Sequence, residues 1–526
     1  MNTLENLLPI LIGIPFCVGA ISLLNAFFKH SSNRVLVTLH VVSIVSIAVI
    51  SSLLAVDVFM SGTLLTSGEW FILDPLSSLF LVVLALVTVI TGVYSIGYIG
   101  HEFTHGELSV TQFSLYYGLF NVFVATMIVA LTTNNIVLMW VAIEATTVSS
   151  TFLVGIYFQR SSLEAAWKYI MLCSIGIALG LFGTVLTYAN GVAVFDSATK
   201  ALLWTDIRDN AALLDPQLIQ IGFVFIMIGF GTKMGLFPMH TWLPDAHSEA
   251  PSPVSALLSA GLLNCAFLVI LRHYVIGTEV LGSDFTNAFF IGFGLLSIGF
   301  SAFLILVQSD VKRLLAYSSV ENMGLIALAV GLGPLGVFAA MLHVINHSLG
   351  KTLMFCGAGN IMLKYGTRDM NAIKGIVKVA PWTGVLFGCG ALALAGMPPF
   401  NLFISEFLVI CSGIYSQHPV LTIVVLLLLT IVLAGFARLV SKCVFGTSPK
   451  AMERGEFGIS TVAPLVVVIA MMLVMGTNIP AFVVDGADMA AQVVLNETEH
   501  SVLDSLDLPW GTFTNNSDAV TLMSQE

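Results

Sequence analysis

Fourteen long apolar segments dominate this sequence. They lie near residues 6–28, 35–56, 75–97, 114–132, 136–158, 166–189, 218–240, 252–274, 285–307, 314–333, 336–360, 380–413, 419–443 and 461–484, numbered here as spans 1 to 14. A membrane crossing needs about 20 mostly apolar residues. Most of the segments are uniformly apolar rather than short and alternating, which selects helices over a β-barrel. The expected fold is an all-α polytopic membrane protein with fourteen transmembrane helices. Composition agrees: 57% of the 526 residues are hydrophobic and 9% are charged, against about 25% charged in soluble domains. The net charge of −11 leaves no basic surface for a phosphate backbone, which excludes a nucleic-acid binder.

Basic residues set the orientation. With the N-terminus outside, thirteen of nineteen fall in or beside cytoplasmic connections: Lys29, Arg34, Arg160, Lys312, Arg313, Lys364, Arg368, Lys374, Lys378, Arg438, Lys442, Lys450 and Arg454. Only Lys200, Arg208 and Arg272 fall outside. This is the positive-inside bias. The first residues, Met1 to Glu5, carry no basic stretch, so span 1 reads as a retained helix rather than a cleaved signal. The tail from residue 485 has no Lys or Arg and at least seven acids, which places both termini outside.

Three basic residues remain, Lys168, Lys233 and Lys351, and all lie within apolar spans. A charge at the bilayer centre costs about 2.5–3.5 kcal/mol on insertion scales, so intramembrane charges are paired or hydrated and often functional. Glu144 lies in span 5. Lys168 lies near the start of span 6, four residues after Glu164, so the two share a helix face. Lys233 lies in span 7 among Gly229, Gly231, Gly235 and Pro238. Glu321 lies in span 10. His343, His347 and Lys351 recur every four residues on span 11 and form one polar stripe. Glu406 follows Gly396, Pro398 and Pro399 in span 12, which at 34 residues is too long for one straight crossing.

Discontinuous helices at membrane depth are tolerated only where protein or water satisfies the backbone, and paired interruptions point to an ion path. Spans 4–8 run acid, lysine, interrupted helix, and spans 9–13 repeat that order. Because five is odd, the second unit enters from the opposite side, as an inverted repeat. The expected organisation is residues 1–113 (spans 1–3 and a loop), 114–274 (first repeat), 285–445 (second repeat), 446–484 (loop and span 14) and 485–526 (acidic external tail), with spans 7 and 12 broken.

Such a set can move protons. Desolvation lowers a lysine's proton affinity and a nearby carboxylate restores it. A shift from about 10.4 to about 7 is worth about 4.6 kcal/mol, against about 2.3 kcal/mol to move a charge through 100 mV. On this reading Lys233 stores a proton, a Glu144–Lys233 pair sets its affinity, Lys168, His343, His347 and Lys351 relay it laterally, and Glu406 is the exit. The opposing reading is static ion pairs that glue helices together.

The chain offers no catalytic centre. Cys17, Cys173, Cys265, Cys356, Cys389, Cys411 and Cys443 each stand alone in an apolar run. Iron–sulfur, zinc and haem centres therefore lack ligands. Neither metal nor cofactor is expected here. His343 and His347 have no third ligand on their helix, and Lys351 would repel a cation. A redox role for His240, Asp245, His247 and Glu249 has no supporting nucleotide or metal motif.

Two runs carry a resemblance. One is Gly229-Phe230-Gly231-Thr232-Lys233-Met234-Gly235-Leu236-Phe237-Pro238, followed by Trp242-Leu243-Pro244-Asp245-Ala246-His247 and Ala250-Pro251-Ser252-Pro253. The other is Asp310-Val311-Lys312-Arg313-Leu314-Leu315-Ala316-Tyr317-Ser318-Ser319-Val320. Over about residues 70–445 the chain resembles the antiporter-like membrane subunits of respiratory complex I and of multisubunit Na+/H+ antiporters. Glu144-Ala145-Thr146-Thr147, the stretch from Gln159 to Tyr169, and Gly396-Met397-Pro398-Pro399-Phe400-Asn401 make it most similar to the hydrogenase-4 component F branch, the membrane arm of formate hydrogenlyase-type complexes. The resemblance implies two inverted five-helix repeats and a proton path on Glu144, Lys233, His347 with Lys351, and Glu406. It also implies a bacterial inner-membrane location and lipid contact. The implied partners are further antiporter-like subunits, a proximal anchor subunit, hydrogenase large and small subunits, iron–sulfur proteins and formate dehydrogenase. [NiFe] and iron–sulfur centres would lie in those partners. One departure stands out: Asn264 occupies the span-8 position where many relatives place a lysine. An antiporter subunit without redox partners, another complex I-like oxidoreductase subunit and a passive scaffold remain as alternatives.

Overall fold

The computed structural model describes residues 6–28, 32–66, 68–448, 452–497 and 501. The first five residues, Lys29, Lys450 and nearly all of the tail after residue 497 lie outside the described residues. The chain begins with α1 (Leu7–Phe28), α2 (Asn33–Ser61), α3 (Pro75–Thr104), α4 (Val110–Thr132), α5 (Ile136–Val154) and α6 (Arg160–Val194). A short α7 (Trp204–Asp209) precedes α8 (Pro216–Met234), α9 (Trp242–Glu249), α10 (Ser252–Leu257) and α11 (Leu263–Leu281). Next come α12 (Ser283–Val307), α13 (Val311–Gly331), α14 (Pro334–Tyr365), α15 (Ile376–Val379), α16 (Pro381–Leu394) and α17 (Asn401–Tyr415). The last three are α18 (Pro419–Leu439), α19 (Ile459–Thr477) and α20 (Ala481–Leu495). Among the described residues the only sheet is a small hairpin pairing Leu64–Leu65 with Ile72–Leu73.

The protein is an all-α polytopic membrane protein. Twelve described helices are long and apolar enough to cross a membrane. The sequence count of fourteen adds α14 and the α16–α17 pair. Helix α14 spans 32 residues, but His343, Asn346, His347 and Lys351 make it polar. It stays in the interior because α3, α13, α16, α17, α19 and α20 surround it. Helices α16 and α17 have 14 and 15 residues. They are separated by residues 395–400, which contain Gly396 at φ 65°. The apolar segment 380–413 is thus two helices.

Burial divides the bundle. Residues of α10, α11, α13 and α14 are almost wholly enclosed, whereas α1, α2 and α18 turn large apolar side chains outward, including Phe27, Val56 and Leu427. An outer face of this kind suits hydrocarbon rather than water.

The connections gather at two ends. At one, Phe71 bridges Thr133 and Asn135 bridges Leu203, and the basic residues of these loops are Lys200 and Arg208. At the other, Asp310 bridges Asp369, and Arg368 donates to Ser248 O at 2.6 Å and pairs with Asp310 at 2.8 Å. This second, basic end collects Arg313, Lys364, Arg368, Lys374, Lys378, Lys442 and Arg454. Polar caps close the helix ends, as orphan N–H groups require: Asp74 accepts from Ser77 N at 2.8 Å and Asp310 from Arg313 N at 3.0 Å.

Three sequence expectations need correction. Residues 481–495, read as part of span 14 and the acidic tail, form α20. Its Ala487, Ala490, Ala491 and Val494 are buried at helical spacing, and the helix packs on α3, α11 and α14. Arg272 and Lys312, counted with the connections, are fully buried. Span 8 is not one regular helix, because a π turn at Leu258–Leu262 separates α10 from α11. Such a turn leaves an i→i−4 bond unmade.

Candidate functional site

The first cluster sits where α5, α6 and α8 meet. Helix α8 ends at Gly235, whose φ of 82° and cap bond to Thr232 O at 3.2 Å close the helix in the left-handed conformation, a position that favours glycine. Lys233 lies two residues earlier and is fully buried. Its Nζ donates to the Tyr169 hydroxyl at 3.0 Å, and that hydroxyl bonds Ser150 Oγ at 2.8 Å. Tyr169 also packs on Trp242 with ring centroids 4.7 Å apart. Glu144 is half-buried and accepts from Ser174 Oγ at 2.9 Å and Thr147 Oγ1 at 3.1 Å. No Glu144–Lys233 ion pair exists among the described residues. Tyr169 takes the place of the expected partner, because it reaches the ammonium from α6.

The second cluster is built on α13, α14 and α17. Lys351 is fully buried; its Nζ donates to Leu315 O at 3.1 Å and to Ser318 Oγ. On the same helix as Ser318, Glu321 accepts from Asn322 Nδ2. Asn322 Oδ1 meets His343 Nε2 at 3.1 Å, and His343 Nδ1 meets Ser405 Oγ at 2.8 Å. Asn346 Nδ2 donates to Ser405 Oγ at 2.9 Å, and Asn401 Nδ2 donates to Asn346 Oδ1 at 2.7 Å. The chain thus runs from Glu321 to Asn401, at the broken helix. Glu406, one residue past Ser405, turns its carboxylate toward the break. A Cβ on Gly396 would meet that carboxylate, which packs directly on the break.

Asn264 and two histidines lie between the clusters. Asn264 Nδ2 donates to Ala260 O at 2.8 Å and Ser348 Oγ at 2.9 Å. Both ring nitrogens of His347 and of His247 are buried without a hydrogen-bond partner among the described residues. Buried polar atoms of this kind call for ordered water.

Lys168 is placed differently from the expectation. It is exposed and pairs with Glu164 at 2.8 Å and Asp245 at 3.3 Å. Asp245 in turn pairs with Arg313 at 2.5 Å. Lys168 therefore ties α6 to α9 near the basic end, outside the buried chain. Its helix begins at Arg160, so Lys168 stands only two turns in. The sequence reading missed Tyr169, Ser318, Asn322, Asn346 and Ser405. Their signal is uncharged polar residues in the same helices as the charges, four apart in Ser318/Asn322 and three apart in His343/Asn346. Among the described residues no group of three or more His, Cys, Asp or Glu is placed to hold a metal ion.

A multi-span helical protein with broken helices, each beside buried ionisable groups, has the build of an ion-transporting membrane subunit. The comparison with known proteins narrows this. The family described as NADH:quinone oxidoreductase/Mrp antiporter, TM matches residues 133–433, and the chain belongs to that family. It is an antiporter-like membrane subunit with relatives in hydrogenase-4, Mrp and complex I assemblies. The hydrogenase-4 component F homolog of Methylacidiphilum infernorum is 41% identical over 67% of this chain and 74% of that protein. Hydrogenase-4 component B of Escherichia coli is 31% identical over 64% of this chain but only 49% of its own length. In structure, a chain of the Mrp complex from Dietzia sp. DQ12-45-1b superposes with a TM-score of 0.82 at 19% identity, covering 94% of this chain and 98% of that one; this likeness concerns the fold alone.

Proposed function

We propose that this chain is the proton-translocating membrane subunit of a membrane-bound [NiFe] hydrogenase-4 or formate hydrogenlyase-type complex. The observation that carries the reading is the unbroken hydrogen-bonded series from Glu321 through Asn322, His343, Ser405 and Asn346 to Asn401. The 41% identity to a hydrogenase-4 component F homolog favours this complex over others.

On this reading the chain crosses the membrane fourteen times, counting α14 and the α16–α17 pair, and the basic end faces the cytoplasm of a bacterial inner membrane. Residues 114–274 and 285–445 act as two inverted units. Glu144, Lys233 and Tyr169 form the first proton station; Glu321, Lys351, His343 and His347 form the second; Glu406 is the exit. Lys168 steadies the α6–α9 contact. The redox centres, nickel–iron and iron–sulfur, belong to the large, small and iron–sulfur subunits of the complex, with formate dehydrogenase as the electron source.

A second reading, a subunit of a multisubunit Na+/H+ antiporter or of another complex I-like oxidoreductase, is favoured by the family match and the fold likeness to an Mrp chain. Purification of the intact complex with subunit identification separates the two: a nickel–iron large subunit selects the first, and sodium-dependent transport without one selects the second. Lys233→Met in reconstituted vesicles tests translocation itself. Loss of acidification supports it, and unchanged acidification removes Lys233 from the path.

A further inference from the structure

We propose that a cleft at the basic end, floored by Glu102, is the aqueous mouth of the buried path, and that what passes through it is a proton carried on water rather than a metal cation. This inference deepens the proposed function and rests on it.

The cleft has a volume of about 700 Å³ and is lined by Tyr98, Glu102, Glu107, Tyr157, Glu249 and Arg368 among others. Its rim is exposed at Glu107 and Gln159, whereas Glu102 at its floor is buried. Glu102 lies in the last turn of α3 and forms no ion pair among the described residues. Its two carboxylate oxygens accept from the Tyr157 hydroxyl at 2.8 and 3.0 Å, and the Tyr98 hydroxyl is a second donor to the same carboxyl. An acid kept buried without an ion-pair contact is costly and calls for a reason. Proton exchange with the water of the cleft supplies one: an O–H bond forms on the carboxylate as one breaks in water, and the reverse step frees the site.

The residues beyond Glu102 lead inward. Lys312 is fully buried and donates to the backbone carbonyl of Ala250, a residue that lines the cleft three positions after His247. His247 stacks on Phe355, ring centroids 5.1 Å apart, and neither of its nitrogens has a hydrogen-bond partner among the described residues. His347 is fully buried one turn before Lys351 on α14, and neither of its ring nitrogens has a partner among the described residues. Water bridging these nitrogens would join the cleft to Lys351. The residues of this link, Lys312, His247, His347 and Lys351, include no carboxylate to hold a sodium ion, which leaves proton transfer through water as the chemistry that fits.

The test measures acidification by everted vesicles carrying the intact complex, expressed per assembled complex. Glu102→Gln is expected to slow proton movement about a hundredfold, the lower range for a positioned proton-transfer group, and Glu102→Asp to restore most of it. As a check independent of folding, Gln159→Cys is labelled after assembly with a charged, membrane-impermeant thiol reagent from the basic side. Labelling is expected to block proton movement in that variant and to leave the unsubstituted complex active. If Lys351→Met stops transport while Glu102→Gln and labelled Gln159→Cys run at the unsubstituted rate, the mouth is elsewhere and the proposed function stands. If Lys351→Met also runs unchanged, the proposed function falls and the mouth with it. If Glu102→Gln does not assemble, the labelled variant decides alone.

Discussion

Arg272 near one end of the bundle and Lys351 in its middle are both fully buried cations, yet they are held in opposite ways. The Arg272 guanidinium is gripped through both terminal nitrogens: Asp74 accepts at 2.5 and 2.9 Å, Ser77 Oγ at 2.7 Å, and the Trp204 ring lies 4.2 Å beneath it. Lys351 meets one hydroxyl and one backbone carbonyl, with Glu321 nearby but not in contact as an ion pair. Lys233 is held in the same sparse way by Tyr169. A bidentate Arg–carboxylate pair is a fixed clamp, here joining α3, α7 and α11. An ammonium held by hydroxyl and carbonyl oxygens can give up its proton without stranding a carboxylate. The static-glue reading thus suits the Asp74–Arg272 pair, and the relay reading suits the centre.

The largest expected effect breaks the clamp. Arg272→Met leaves Asp74 buried and unpaired, which costs about 3–5 kcal/mol, read as a fall in thermal stability of the detergent-solubilised complex. Lys351→Met removes the two hydrogen bonds to Leu315 O and Ser318 Oγ, about 2 kcal/mol net. Equal losses from the two would erase the distinction between clamp and relay.

Transport turns the order around. His343→Leu removes the ring that joins Asn322 to Ser405, 3.1 Å on one side and 2.8 Å on the other. Acidification per assembled complex is expected to fall about a hundredfold, while Arg272→Met complexes that do assemble keep their rate. Should His343→Leu pump normally, the second cluster is packing and not a path. Tyr169→Phe is milder. It takes one hydroxyl from Lys233 and leaves the ammonium in place, so an effect of about tenfold, one hydrogen bond's worth, is expected in the same assay.

The sequence exposed the charges and the breaks because both violate what hydrocarbon tolerates. Gly235 and Gly396, with their neighbouring prolines, announced where α8 and the α16–α17 pair stop. Partners were harder to read. Lipid and protein interior are equally apolar to a side chain, so apolar periodicity does not tell which face of a membrane helix turns inward. Lys168 and Lys233 look alike along the chain, but one is exposed beside Asp245 and the other is enclosed under Tyr169. Arg272 reads as a loop cation until Asp74, 198 residues away, is brought against it. Asn322, Asn346 and Ser405 escaped notice because an uncharged polar residue in an apolar helix also satisfies its own backbone, as Asn322 does on Ser318 O at 2.8 Å. Only the crossing of α13, α14 and α17 makes them a series.

The smallest effect is expected at Lys168. Its side chain is 47% exposed and its neighbour Glu164 60%, and exposed pairs at this spacing contribute little. Removing it leaves Asp245 with Arg313 at 2.5 Å, so α9 keeps one tie to its surroundings. Lys168→Met should therefore change acidification by about twofold or less, with the remaining effect fading as salt is raised because surface charges are screened. A large, salt-insensitive loss would mean that this face of α6 is covered in the assembled complex. Lys168 would then move from the group of surface ties to the group of enclosed, sparsely held lysines with Lys233 and Lys351, and the line between clamp and relay would have to be drawn across the subunit boundary.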